Sequence, residues 1–78
     1  MIEIIKAKGQ EKTEIKKIVK DYYAEANEKV VDIDIYKDKD MNHWMIDVIT
    51  ISNHLAKKST FEYSIESGFK FFRFQGIL

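Results

Sequence analysis

Asp38, Asp40 and Asn42 carry oxygen ligands at alternate positions, which is how a calcium-binding loop begins. Such a loop also needs a glycine at its sixth position and a glutamate at its twelfth. His43 and Ile49 stand at those two positions here. The pattern therefore predicts a solvated turn and no metal site.

The other side chains that could do chemistry are two histidines and three aspartates. His43 and Asp47 share a face of a predicted strand, but His54 belongs to the next connection, and a catalytic zinc normally has three protein ligands. Asp32 and Asp34 share a strand face, and two neighbouring carboxylates can have different pKa values, as acid/base catalysis requires. However, Asp alternating with Ile is typical of any half-exposed strand. We therefore expect no catalytic residue, metal or cofactor, and no enzyme.

One segment, GFKFFRF at residues 68–74, is similar to the RNA-recognition pattern in which strand aromatics stack on bases. Two of its positions differ, because Ser67 replaces the leading basic residue and Lys70 replaces a small one. Binding of single-stranded nucleic acid is therefore the alternative function. It would use the following aromatic and basic residues: Phe69, Phe71, Arg73, Lys57, Lys58 and Lys70.

Composition limits the classes of protein that this chain can represent. Its 78 residues support one domain, spanning 1–78, and 45% hydrophobic content is typical of a folded protein. The absence of cysteine excludes a disulfide scaffold, a thiol nucleophile and a thiolate zinc site. Thirteen basic and thirteen acidic residues give no net charge, which argues against electrostatic binding to nucleic acid or membranes. Without a targeting signal or apolar span, we expect a cytoplasmic protein.

The periodicity of apolar residues changes once along the chain. From Gln10 to about Lys29 these residues have helical spacing, and the residues that follow alternate as strands do. We expect an α+β domain with one N-terminal helix packed on a four-stranded antiparallel meander, the element order of cystatin-like folds. A pocket between helix and sheet would instead indicate a small-molecule binder. The predicted strands are 30–36, 43–52, 60–66 and 69–74, with a possible extra strand at 2–6.

The last hairpin predicts which side chains share a face. A two-residue turn at Ser67 and Gly68 would place Phe61, Tyr63, Ile65, Phe72 and Phe74 against the helix. Phe69, Phe71 and Arg73 would then lie on the open face of the sheet. In the long strand, Trp44, Ile46 and Val48 form one row and Met45, Ile49 and Ile51 belong to the other, so either row leaves apolar groups on that face.

Such an apolar face usually marks a binding surface, unless the sheet curls or the chain ends cover it. The sequence therefore predicts a small non-enzymatic interaction module, either a regulator of a larger protein or a homodimer, which is the commonest assembly. Nucleic acid is a less favoured partner, and no membrane is expected. The predicted partner-binding residues are Phe69, Phe71, Arg73, Trp44, Ile46 and Val48.

Overall fold

A computed structural model describes residues 2–78 and shows one helix packed against a five-stranded antiparallel sheet. The strands lie in sequential order, so the sheet is a meander with β1 and β5 at its edges. The predicted α+β fold is confirmed, including the extra N-terminal strand. The elements are β1 (Ile4–Lys6), α1 (Gly9–Tyr22), β2 (Lys29–Asp38), β3 (Trp44–Ser52), β4 (Leu55–Ser64) and β5 (Gly68–Ile77).

The core lies between α1 and the central strands. Trp44, Ile46 and Val48 alternate along β3, and all three are buried beneath the helix. Ile15 and Val19 are the buried residues of α1 and supply the other side of this layer. The remaining buried apolar residues are Ala7, Ile35 and Phe61. No helix in residues 2–78 has the length and apolar character needed to cross a lipid bilayer.

Helix α1 ends at Tyr22, about two turns earlier than its periodicity predicts. The backbone then turns, since Ala24 donates a hydrogen bond to Asp21 and Ala26 donates one to Tyr23. Two adjacent tyrosines are weaker helix formers than the lysines before them, and both rings pack on the aromatic side chain of Phe61. The helix is therefore shorter than the sheet that it covers.

Two hairpin turns set the register of β4. Asn53 and His54 both have positive φ, so they form the two-residue turn whose backbone matches strand twist, and β4 begins at Leu55. At its other end Ser64 pairs with Gly68, which leaves residues 65–67 as a three-residue loop. The predicted two-residue turn at Ser67 and Gly68 is wrong.

That register exchanges the two faces of the last hairpin. Phe69 pairs with Tyr63 and Phe71 pairs with Phe61, so both phenylalanines lie on the helix side of the sheet. The prediction that they lie on the open face is wrong. Ile65, predicted to face the helix, lies in the loop and is 92% exposed. The pairing differs from the predicted one by three residues, since Tyr63 lies opposite Phe69 and not Phe72. Any odd shift exchanges the faces, because side chains alternate with a period of two.

Two β-bulges interrupt the pairing of β4 with β5. Phe71 and Arg73 pair with consecutive residues of β4, so Phe72 is an inserted residue, and Gln75 is inserted in the same way. Each insertion reverses the alternation of the residues that follow it. As a result Phe74 returns to the helix side, as predicted, whereas Phe72 has no partner on β4.

The new register can be tested with two alanine variants. Phe69→Ala removes a ring that stacks 4.7 Å from the Phe61 ring, and we expect it to lower the free energy of unfolding by about 2 kcal/mol or more. Ile65→Ala removes an exposed side chain, and its effect should stay within about 0.5 kcal/mol. Urea unfolding followed by circular dichroism measures both. A larger loss for Ile65→Ala would support the two-residue turn instead.

Candidate interaction surface

The helix side of β5 is entirely apolar. Because of the two bulges, this side carries Phe69, Phe71, Phe74 and Ile77, which we call the β5 strip. In a strand without bulges, Arg73 and Gln75 would occupy this side in place of Phe74. The bulges therefore separate the apolar side chains of β5 from its polar ones.

Most of the β5 strip is uncovered. Phe71 is 57% exposed, Phe74 52% and Ile77 62%, whereas Phe69 is only partly exposed. A helix with its side chains is about 10–12 Å wide, and five strands span about 20 Å from edge to edge. One helix therefore covers only part of the sheet, and β5 is the long edge strand left outside.

An aromatic cluster joins the strip to the core. The Phe61 ring is stacked on Phe69 and meets the edge of Phe71 at a centroid distance of 5.7 Å. Tyr22, at the end of α1, contacts both Phe61 and Phe69, with centroids 5.2 and 5.4 Å away. Tyr22 is itself half exposed, so the end of the helix borders the strip at the protein surface. The strip is thus packed against the core through Phe61.

A charged pair borders the other end of the strip. Lys57 lies opposite Ile77 on β4, and its ammonium is 2.6 Å from the carboxylate of Glu28. The same carboxylate accepts a hydrogen bond from Thr50 on β3. The hydrogen bond from Lys57, helped by that from Thr50, outweighs burial and lowers the pKa of Glu28. The two charges at this border therefore neutralise each other within one chain.

The open face of the sheet carries a polar ladder. The hydroxyl of Tyr36 and that of Thr60 donate to the same carboxylate oxygen of Asp47, at 3.2 and 2.8 Å. The amide of Gln75 donates in turn to Thr60, and the Lys58 ammonium lies 3.6 Å from Asp47. Burial, followed by the charge of Asp47, raises the pKa of Tyr36 above its ordinary value of 10.0. This face is not the continuous apolar surface that the sequence predicts.

The structure distributes the six predicted partner-binding residues over three places. Trp44, Ile46 and Val48 lie in the core under α1, because their row and not the alternate row of β3 faces the helix. Phe69 and Phe71 lie on the helix side, and Arg73 lies on the open face opposite Thr60. Sequence reasoning missed Phe74 and Ile77 as exposed residues of this surface, because no residue pattern marks the bulge at Phe72. Gly76, which follows the inserted Gln75 and has a positive φ of 126°, was a signal for the second bulge.

The separation of Phe71 from Arg73 also bears on nucleic-acid binding. A stacking platform needs its aromatic rings and its basic groups on one accessible face. Lys70 and Arg73 point away from the strip, whereas Phe71 and Phe74 belong to it. The ring of Phe72 lies 5.8 Å from the Arg73 guanidinium and is the one aromatic of the motif beside a basic group. The RNA-like motif is therefore divided between the two faces.

The other candidate motifs are occupied by local contacts. Asp38 accepts a hydrogen bond from the backbone of Asp40, as in an ordinary turn. His43 lies 3.8 Å from Glu62, and Asp34 pairs with Lys6 at 2.8 Å. Within residues 2–78 no three side chains of the types that bind metals come together.

An open cleft of about 660 Å³ lies at the end of the sheet where β3 begins. Its floor includes Trp44, whose indole N–H donates to Glu11 at a distance of 3.0 Å. The ammonium of Lys37 lies 4.8 Å from the centre of the same ring. Glu11 and Lys37 thus both contact the Trp44 side chain at this end of the sheet.

Comparisons with protein-family models, with curated proteins and with solved structures found no match to this chain. Its function must therefore be inferred from its own surfaces.

The polar ladder predicts a strong effect of one carboxylate on stability. Thr60 is only 2% exposed, and Asp47→Ala removes the acceptor of its hydroxyl group. Because an unpaired buried donor is unfavourable, we expect this variant to lower the free energy of unfolding by about 1–3 kcal/mol. Asp32→Ala, on the exposed part of β2, should change the free energy of unfolding by less than about 0.5 kcal/mol. Equal losses in urea unfolding would show that the ladder adds no stability.

Glu28 predicts a specific acid dependence. Its folded-state pKa is lower than its ordinary 4.5, so its contribution is present above that pH and is lost as the pH falls through the folded-state value. Glu28→Gln should cost up to about 1 kcal/mol near pH 7 and much less at about pH 3. Glu25→Gln, in the exposed part of the same connection, is the control. Urea unfolding at both pH values measures this, and a Glu28→Gln loss that is independent of pH would contradict the assignment.

Proposed function

We propose that this protein is a small interaction module without enzymatic activity, and that a second copy of the chain occupies its β5 strip. The observation that carries the proposal is the uncovered row of Phe71, Phe74 and Ile77, which two bulges place on one face. Exposed apolar surfaces of this kind on soluble proteins mark interaction sites. The interacting face is therefore the helix side of β5 and not the open face of the sheet.

The exposed apolar side chains supply most of the area that a specific dimer must bury. An aromatic side chain has about 150–250 Å² of surface, so each half-exposed residue of this region offers about 100 Å². Phe71, Phe74 and Ile77, together with Tyr22, thus offer about 400 Å² in each copy, or about 800 Å² in a dimer. Backbone and border contacts need to add only about 200 Å² to reach the roughly 1,000 Å² that a specific interface buries.

The charge distribution also favours a second copy as the occupant. A two-fold interface brings the same patch together from both partners, so a charged patch would repel itself. The β5 strip has no charged residue, and its bordering charges, Glu28 and Lys57, pair within each chain. The whole chain has a formal charge of zero, so no long-range repulsion opposes association.

Self-association can be measured with two matched isoleucine variants. Ile77→Ser and Ile65→Ser both replace an exposed isoleucine, but only Ile77 belongs to the strip. We expect sedimentation velocity to show a concentration-dependent dimer for the wild-type chain and for Ile65→Ser. Ile77→Ser should raise the dissociation constant about 10-fold, and Phe74→Ser about 10–30-fold, because apolar anchors dominate binding.

Two outcomes would contradict this proposal. A wild-type chain that remains monomeric at all concentrations would exclude a second copy as the occupant. Equal weakening by Ile65→Ser and Ile77→Ser would place the interface elsewhere. Circular dichroism shows whether each variant has kept its fold. Because both isoleucines are exposed, neither substitution should change the free energy of unfolding of the monomer by more than about 0.5 kcal/mol.

A further inference from the structure

The geometry points to one arrangement of the two copies, which rests on the proposed self-association. The two β5 strips stack face to face about a two-fold axis parallel to β5, and the helix of each copy lies beside the free edge of the other's β5. Three features of the structure lead to this arrangement: the broken edge of β5, the step between helix and strip, and the position of the helix on one side of the strip.

The edge of β5 is poorly suited to extending the sheet. Phe72 and Gln75 are bulged residues, so the hydrogen-bonding groups along this edge are out of step at two places within ten residues. Bulges and charged side chains such as Lys70 and Arg73 are devices by which proteins prevent pairing of edge strands. At the opposite edge β1 has only three residues. Joining of sheets edge to edge is therefore disfavoured on both sides.

The strip lies on the sheet directly beside the helix, which rises above it as a second layer. Tyr22, at the end of α1, contacts Phe69, so the helix borders the strip directly. The helix forms a layer about 10–12 Å thick on the sheet, and two stacked sheets are about 10 Å apart. A second β-layer therefore fits beside the helix at the same height. Such a layer places apolar side chains on Phe71, Phe74 and Ile77, which a partner lying across the top of the helix could not reach.

The position of the helix determines the symmetry axis. A two-fold axis across the strands would place the helix of one copy inside the sheet of the other. With an axis parallel to β5, the two sheets extend away from the axis in opposite directions, so no element of one copy overlaps with the other. The two β5 strands then run parallel in separate layers, and Phe71, Phe74 and Ile77 lie opposite their own equivalents. Each helix also covers the bulged edge of the other copy, which is a common protection for an edge strand.

Spin labels at the two ends of β5 test this arrangement and leave the strip intact. The chain has no cysteine, so Ser67→Cys and Leu78→Cys each give one labelling site. In the parallel stack, the start of β5 lies near the start of its partner, and the end near the end, with the backbones about 10 Å apart. Pulsed electron paramagnetic resonance on the full-length dimers should therefore give short distances, under about 25 Å, for both variants.

Antiparallel pairing predicts a different result. Its centre lies within the strand, so the two ends are about 15 Å from that centre and both variants give distances of about 30 Å or more. One short and one long distance would indicate an off-centre antiparallel contact. Either result in a chain that still dimerises would overturn the stacked arrangement but not the self-association. Monomers in sedimentation, for wild-type and labelled chains alike, would overturn both.

Discussion

The two β-bulges of β5 determine the chemistry of both faces of the sheet. Each one adds a residue to the edge strand, so the spacing of residues on the helix side lengthens from two to three between Phe71, Phe74 and Ile77. The same change sends Arg73 to the opposite face. A regular strand with this sequence would mix charged and aromatic residues on each side. The apolar strip and the polar ladder are therefore both consequences of the same two bulges.

The polar ladder adds side-chain contacts between the bulged strand and its neighbours. A bulge removes regular pairing where it occurs, and Gln75 is an inserted residue. Its side chain, however, donates to Thr60, which donates to Asp47, so the contact extends from β5 through β4 to β3. Tyr36 adds β2 to the same carboxylate. Buried polar groups that are fully paired rigidify a structure and favour one register over its alternatives. The hydrogen bonds of the open face thus favour the alignment that keeps the apolar residues together on the other side.

Periodicity was sufficient to predict the fold class and the approximate position of α1 and of every strand. It could not predict the register of the last hairpin, because this segment is compatible with a two-residue turn at Ser67 and Gly68 or with a three-residue loop at 65–67. The two alternatives differ by three residues in pairing, and any odd shift exchanges the faces. The early start of β4 was also missed, since His54 stands where the usual turn sequence has glycine. The bulge at Phe72 has no local signature, whereas the one at Gln75 is followed by Gly76, and a glycine within a strand is a known sign of a bulge. An interaction module remains the proposed function, but the proposed surface is now the helix side of β5 and not the open face of the sheet.

A domain of this size cannot easily cover such a sheet by itself. Covering the β5 strip within the chain would require a second helix or a longer one, and α1 ends where Tyr22 and Tyr23 pack on Phe61. An uncovered aromatic row on a chain of zero formal charge favours non-specific association, because no charge repulsion keeps the molecules apart. A specific contact at the strip removes that hazard and adds buried apolar area, which a small core lacks. Because one short helix cannot cover the whole sheet, the strip is exposed, and a second copy that covers it would stabilise the protein.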